Sequence, residues 1–111
     1  MTAAITEATA LALVAEALRI TAQREPAQLH VLCLIASSAE PPMMTELAKA
    51  RGKTTASMTG CVDMLEGQGL VMRLRAEDRR VVRVALTDEG RRELRSLVDA
   101  VVGLLSAGGE S

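Results

Sequence analysis

The apolar residues of this chain change their period twice. They recur at helical spacing up to about residue 66, alternate between Leu70 and Leu86, and return to helical spacing after Thr87. A length of 111 residues fits one small domain. The expected class is therefore mainly α with a small β-hairpin (α+β). The core has to form without Phe, Trp or Tyr, since none is present. Leu, Val, Ile, Ala and Met remain, and they suit helices packed through aliphatic stripes. A chain this short buries only about 60 to 70% of its surface. With 49% apolar residues, a homodimer is favoured over a monomer.

The first helix is expected over residues 4 to 21, with Leu11, Val14, Ala15 and Leu18 in its stripe. Pro26 cannot continue it but suits the first turn of the next helix, expected from Pro26 to Ser37 with Leu29, Leu32, Cys33 and Ala36 on one side. A short third helix spans Thr45 to Ala50, with Thr45 as its N-cap. Gly52 in "RGKTT" can take the positive φ of a sharp corner. Thr54 or Thr55 then caps a fourth helix ending near Glu66, with Met58, Cys61, Val62 and Leu65 inward and Gly69 closing it. Two alternating runs, "LVMRLR" and "RVVRVAL", flank "AEDR" and read as a β-hairpin. Thr87 caps the last helix, which runs to about Ser106 with Asp88 and Glu89 in its first turn and Leu94, Leu97, Val98, Val101, Leu104 and Leu105 along its stripe.

Charge is segregated along the chain. Residues 51–95 hold ten Arg and Lys against seven acids, whereas residues 1–50 hold three against five. The segment "RLRAEDRRVVRV" alone puts five arginines into residues 73–84 of a chain with a formal net charge of −1. Such segregation indicates an anionic partner better than the overall pI does. A helix, a sharp turn, a helix and a basic hairpin follow in the order of a winged helix-turn-helix.

The residues from "MTELAKARGKTTASMTGCVDMLEG" through "LTDEGRREL" resemble the DNA-binding core of the MarR family. The resemblance is carried by Leu65, Glu66, Gly69 and Leu70 at the end of the fourth helix, by Asp78 and Arg80 at the hairpin tip, and by Leu86, Thr87 and Gly90 after it. "EPAQLHVLCLIAS" is similar to the family's second helix, so the likeness covers about residues 26 to 95. It implies a winged helix-turn-helix that dimerises through its first and last helices and regulates transcription, with a homodimeric repressor as the leading reading. Residues 1–111 then form one winged-helix domain. About 1–22 and 88–106 make the dimerisation helices, and about 26–87 make the DNA-binding lobe.

The resemblance places the fourth helix in the major groove and the wing in the adjacent minor groove. Lys53, Thr54, Thr55, Ser57 and Thr59 are then expected at phosphates or base edges. Arg80 becomes the wing-tip arginine, oriented by an ion pair from Asp78, with Arg79 beside it. Arg73, Arg75 and Arg83 hold the DNA backbone. The dimer interface falls on Leu11, Val14, Leu18, Leu94, Leu97, Val98, Val101 and Leu105. Partners are double-stranded DNA, a second copy of the chain and, by the same resemblance, a small-molecule inducer.

The chain departs from the family in two places. Gly60 stands where the family often has Arg or Lys, and the fourth helix carries no arginine, so bidentate guanine readout is absent from it. The chain is also shorter than the family usually is, mainly at its C-terminus, which would reduce the ligand pocket between the lobes. The missing arginine supports an alternative function, a protein-binding winged-helix module without specific DNA binding.

Other features are expected to be structural. Cys33 and Cys61 lie in apolar segments and read as buried thiols rather than a redox pair. His30 is the single histidine, so no His-rich metal site forms. Met43 and Met44 fill core or form a short strand before the third helix. Glu77 beside Asp78 lacks the enclosure that tunes acids for catalysis. There is no phosphate loop, no nucleophile beside a base and no zinc ligand set. The expectation is therefore no enzyme, no metal and no cofactor. The N-terminal stretch carries Glu7 and Glu16 without a basic leader and reads as a helix, and no run of about 18 apolar residues crosses a membrane. A cytoplasmic location follows as the expectation.

Overall fold

The computed structural model describes residues 6–22, 24–75, 77–78 and 80–109. Five helices and one hairpin follow in the order α1 (Glu7–Ile20), α2 (Pro26–Ser37), α3 (Met44–Arg51), α4 (Thr55–Gly67), β1 (Val71–Arg75), β2 (Val82–Leu86) and α5 (Asp88–Gly109). The winged helix-turn-helix order is as expected, and local chemistry fixes most of the ends. Thr6 caps α1 by accepting the Thr9 N–H at 3.1 Å, and Thr54 caps α4 by accepting the Ser57 N–H at 3.1 Å. Pro26 occupies the first turn of α2.

Two ends differ from expectation: α5 runs on to Gly109 rather than stopping near Ser106, and α3 begins earlier than Thr45 implied. The cap of α3 is Met43, not Thr45. The Glu46 carboxylate reaches back to accept the Met43 N–H at 2.8 Å, as the acid of a capping box does.

The core is made by Val31, Leu32 and Ile35 of α2, Met44, Leu47 and Ala48 of α3, Met58, Val62 and Leu65 of α4, and Leu70, Val71, Val84, Leu86 and Leu94. In α2 the inward row is Gln28, Val31, Leu32 and Ile35. Cys33 and Ala36, which the sequence suggested for the inward side, are exposed. This helix is apolar on most of its circumference, so periodicity does not select its buried face and the packing of α4 does.

β1 and β2 pair antiparallel, Val71 opposite Leu86 and Arg75 opposite Val82. Met43 adds an isolated bridge to Arg83, and the Val84 N–H donates to the Pro42 carbonyl at 2.9 Å. Of the two methionines, Met44 therefore enters the core and Met43 forms the short strand.

Two backbone features set the angles between elements. Gly52 adopts φ 64° between α3 and α4, a conformation in which a Cβ is unfavourable. At the start of α5, the Thr87 N–H donates to the Leu70 carbonyl at 3.1 Å, its hydroxyl donates to the Gly69 carbonyl at 2.6 Å, and it accepts the Gly90 N–H at 3.0 Å. A Cβ on Gly90 would lie 2.2 Å from the Leu70 carbonyl oxygen. The family-like spacing of Gly69, Leu70, Thr87 and Gly90 is thus one close backbone junction.

Candidate nucleic-acid interface

The corner at Gly52 presents the first turn of α4, and the hairpin stands beside it. Between α3, α4 and the wing runs a cleft of about 820 Å³, lined among others by Thr45, Thr55, Thr59, Arg73, Arg75 and Arg80. Lys53, Thr54, Thr55, Ser57, Thr59, Arg75 and Arg80 are all exposed. Their polar groups are differently engaged. The Thr54 hydroxyl caps α4, and the Thr59 hydroxyl donates to the Thr55 carbonyl at 2.9 Å. Among the described residues, Thr55 and Ser57 make no side-chain hydrogen bond, and Lys53, Arg75 and Arg80 make no ion pair. These groups are open to an incoming anion.

Arg73 is placed differently. Its side chain is only 15% exposed, and its guanidinium meets Asp63 at 2.6 Å and Glu66 at 2.5 Å. Two carboxylates on one arginine fork give a charge-assisted clamp. The clamp ties β1 to the middle of α4, and its charge is already matched within the chain. Arg83 also turns inward, donating from Nη1 to the Pro41 carbonyl at 2.9 Å. The wing face of β1 is correspondingly inverted: Met72 and Leu74 are 46% and 40% exposed, while Arg73 lies on the inner side.

Asp78 does not orient Arg80 through an ion pair. Its carboxylate accepts the Arg80 backbone N–H at 3.0 Å, and its carbonyl accepts the Val81 N–H at 3.0 Å. An aspartate that bonds the backbone two residues on is a turn former, so it shapes the tip instead of holding the guanidinium. Arg79 lies outside the described residues.

The expected dimer residues differ in exposure. Leu11, Val14, Leu18 and Val98 are 62%, 55%, 64% and 45% exposed, and Val102, which the sequence reading did not single out, is 53% exposed. Leu97 and Val101 are half-buried. Leu94 is 6% exposed and belongs to the core of its own chain, because the Leu70–Gly90 junction presses this turn of α5 onto the winged lobe. The side chain of Leu105 is outside the described set.

A polar chain that sequence reasoning missed connects the two parts of the molecule. Gln28 is the one buried polar residue described, 5% exposed. It accepts from Gln68 at 3.3 Å and donates to the Met64 sulfur at 3.8 Å. Arg24 donates to Gln68 at 2.7 Å and pairs with Glu93 of α5. Gln28 sits where an apolar residue would satisfy the helical pattern, so only its partners 36 and 40 residues away explain it.

Cys33 is exposed and Cys61 half-buried, which departs from the expectation of two buried thiols. Burial nevertheless pushes both thiols up from their ordinary value, with Arg51 partly opposing this at Cys61. Neither is a ready thiolate. Among the described residues no cluster of three or more His, Cys, Asp and Glu could hold a metal, and no helix is long and apolar enough to cross a membrane.

The model of the MarR family matches residues 25–82. No curated protein matches the chain. Among solved structures, a transcriptional regulator of Thermotoga maritima superposes with a TM-score of 0.78 at 22% identity, over 88% of this chain and 70% of that one. A mutant MepR of S. aureus bound to an oligodeoxyribonucleotide gives 0.78 at 18% identity, over 92% and 77%. CouR, a transcriptional repressor solved on a 23-mer DNA duplex, gives 0.68 at 31% identity, over 86% and 69%.

Proposed function

The chain belongs to the MarR family, and on that premise we propose that it is a double-stranded DNA-binding transcriptional regulator that prefers particular sequences, acting as a cytoplasmic homodimeric repressor. We assign it no enzymatic activity. The observation that carries the reading is the surface on which Lys53, Thr55, Ser57, Arg75 and Arg80 stand exposed beside the α4 corner, without side-chain partners among the described residues. DNA carries one negative charge per ~1.7 Å of its axis, and cations facing it release condensed counterions. CouR, a repressor on DNA, supports the sign of regulation.

In this reading α4 lies in the major groove and the wing reaches the minor groove. Lys53 and Arg75, with Arg79, hold phosphates, and Arg80 at the wing tip enters the minor groove. Thr54, Thr55, Ser57 and Thr59 sit at the groove, Asp78 shapes the tip, and Arg73 and Arg83 keep the wing against α4 and the Pro41 loop. Residues 26–87 are the DNA-binding lobe, and about 1–22 and 88–106 supply the dimer. Two copies then place α4 in successive major grooves about 34–36 Å apart. A small-molecule inducer would sit at the junction of the lobes, where cavities of about 380 and 370 Å³ flank Arg24 and Leu29.

The test is binding of the purified protein to labelled DNA flanking its own reading frame, beside scrambled DNA, across a salt series. The label goes on the DNA because the chain has no tryptophan. Tight, sequence-preferring binding is expected, with a salt slope that Arg80→Ala reduces by about 1. No binding to any duplex at low salt overturns the reading and favours the protein-binding module.

A further inference from the structure

We propose that α4 selects A·T-rich half-sites by packing its short side chains on thymine methyl groups, with Ala56 and Thr59 as the reading residues. The inference rests on the DNA-binding reading above and names the class of sequence that surface would take.

The side of α4 opposite the buried row Met58, Val62 and Leu65 consists of Ala56, Gly60, Asp63 and Gly67, all exposed, with Thr59 beside them. Each base pair shows a distinct pattern in the major groove. Arg and Lys read guanine, Asn and Gln read adenine, Asp and Glu accept from cytosine, and Ala or a Thr methyl packs on the thymine methyl. From Thr55 to Gly67 there is no Arg, Lys, Asn or Gln. Two acids could accept from cytosine, Asp63 and Glu66, and both are held by Arg73 at 2.6 and 2.5 Å. The Thr59 hydroxyl proton is already given to the Thr55 carbonyl, which leaves its methyl as the group without an internal role. The free hydroxyls of Thr55 and Ser57 can bond any base and carry no preference, so the readers with a preference are the Ala56 and Thr59 methyls.

Such short side chains reach a base edge only if the helix backbone comes close. Gly60 permits that approach: it has no side chain, and a Cβ placed there would meet nothing within 4 Å. The wing points to the same class of sequence. A·T tracts narrow the minor groove and deepen its negative potential, which draws in an arginine such as Arg80, exposed and without an acid partner among the described residues.

The test selects bound duplexes from a randomised pool with the full chain, then replaces thymine by uracil in the selected half-sites, which removes only the methyl. Expected are A·T-rich half-sites and a loss of about fourfold in affinity per contacted methyl, the value of one buried carbon. Gly60→Arg, at an open helical position, is expected to shift the selected half-site toward guanine by about tenfold or more. Tight binding to G·C-rich half-sites, or equal affinity for the thymine and uracil duplexes, overturns this inference and leaves the regulator reading standing. Equal binding to every duplex, or none, overturns both.

Discussion

The lobe from α2 to β2, with Leu94 near the start of α5, closes its own core, whereas α1 and the outer side of α5 leave theirs open. Every residue of the core cluster lies between Val31 and Leu94, and α1 contributes no buried residue. Leu11, Val14, Leu18, Val98 and Val102 instead form an exposed aliphatic surface. Burying a Leu or Val side chain is worth about 1.5–3 kcal/mol, and in the proposed homodimer a second copy completes this surface. One region is stabilised by its own sequence, and on that proposal the other would be stabilised by concentration. The difference teaches where to look for each kind of damage: core substitutions should act on folding, arm substitutions on assembly.

The largest expected effect tests the closed lobe. Leu65 is fully buried, and Leu65→Ala should cost about 3 kcal/mol in urea unfolding, through lost transfer energy and the cavity left behind. A loss below about 1 kcal/mol would mean that the lobe is not the cooperative unit. Leu18→Asp comes next and addresses the open arm. Helical circular dichroism should stay near wild type while sedimentation shows a monomer, and affinity for a two-half-site duplex should fall at least about tenfold, since the second half-site no longer binds with the first. A persistent dimer would remove the interface from this face.

A smaller effect separates the wing's two kinds of arginine. The triple variant Arg73→Met, Asp63→Asn, Glu66→Gln removes the clamp without leaving bare acids. Affinity should drop about three- to tenfold at every salt concentration with an unchanged salt slope, because no phosphate contact is lost. A slope reduced by about 1, as expected for Arg80→Ala, would put Arg73 on the DNA. The smallest effect concerns the thiols. Burial favours their protonated form, so the folded chain keeps these protons to higher pH than the unfolded chain. The associated stability is present below the ordinary thiol pKa and fades as pH rises through the raised values. Alkylation of Cys33 and Cys61 at pH 8 should be slower in the folded chain than in urea, and equal rates would contradict the shift.

How much could be read beforehand followed the range of the interactions. The ends of α2 and α4, the hairpin and the start of α5 were legible because Pro26, Thr54, Gly52 and Thr87 act on neighbours within a few residues. The cap of α3 was missed because a carboxylate reaching backward decides it, not the hydroxyl nearest the apolar run. The α2 face was missed because the helix is apolar nearly all round. The site was legible as a set of cations and hydroxyls but not as a division of labour. Nothing near Arg73 in sequence announces that Asp63 and Glu66, 10 and 7 residues earlier, will hold it, and nothing near Gln28 announces Gln68. Leu94 shares the helical spacing of the residues expected at the dimer interface, and only the Gly90 contact turns it inward.

That contact also sets a lever. The Leu70 carbonyl, with Thr87 hydrogen-bonded to it and Gly90 against it, is the fulcrum on which α5 leaves the winged lobe. The 22 residues of α5 extend about 33 Å at 1.5 Å per residue. A tilt of about 5° at the fulcrum would carry the far end through roughly 3 Å, nearly one base-pair step of DNA at about 3.4 Å. In the proposed dimer, the spacing of the two α4 helices on a duplex would therefore be gauged by the angular tolerance of one carbonyl against one glycine, far from any base.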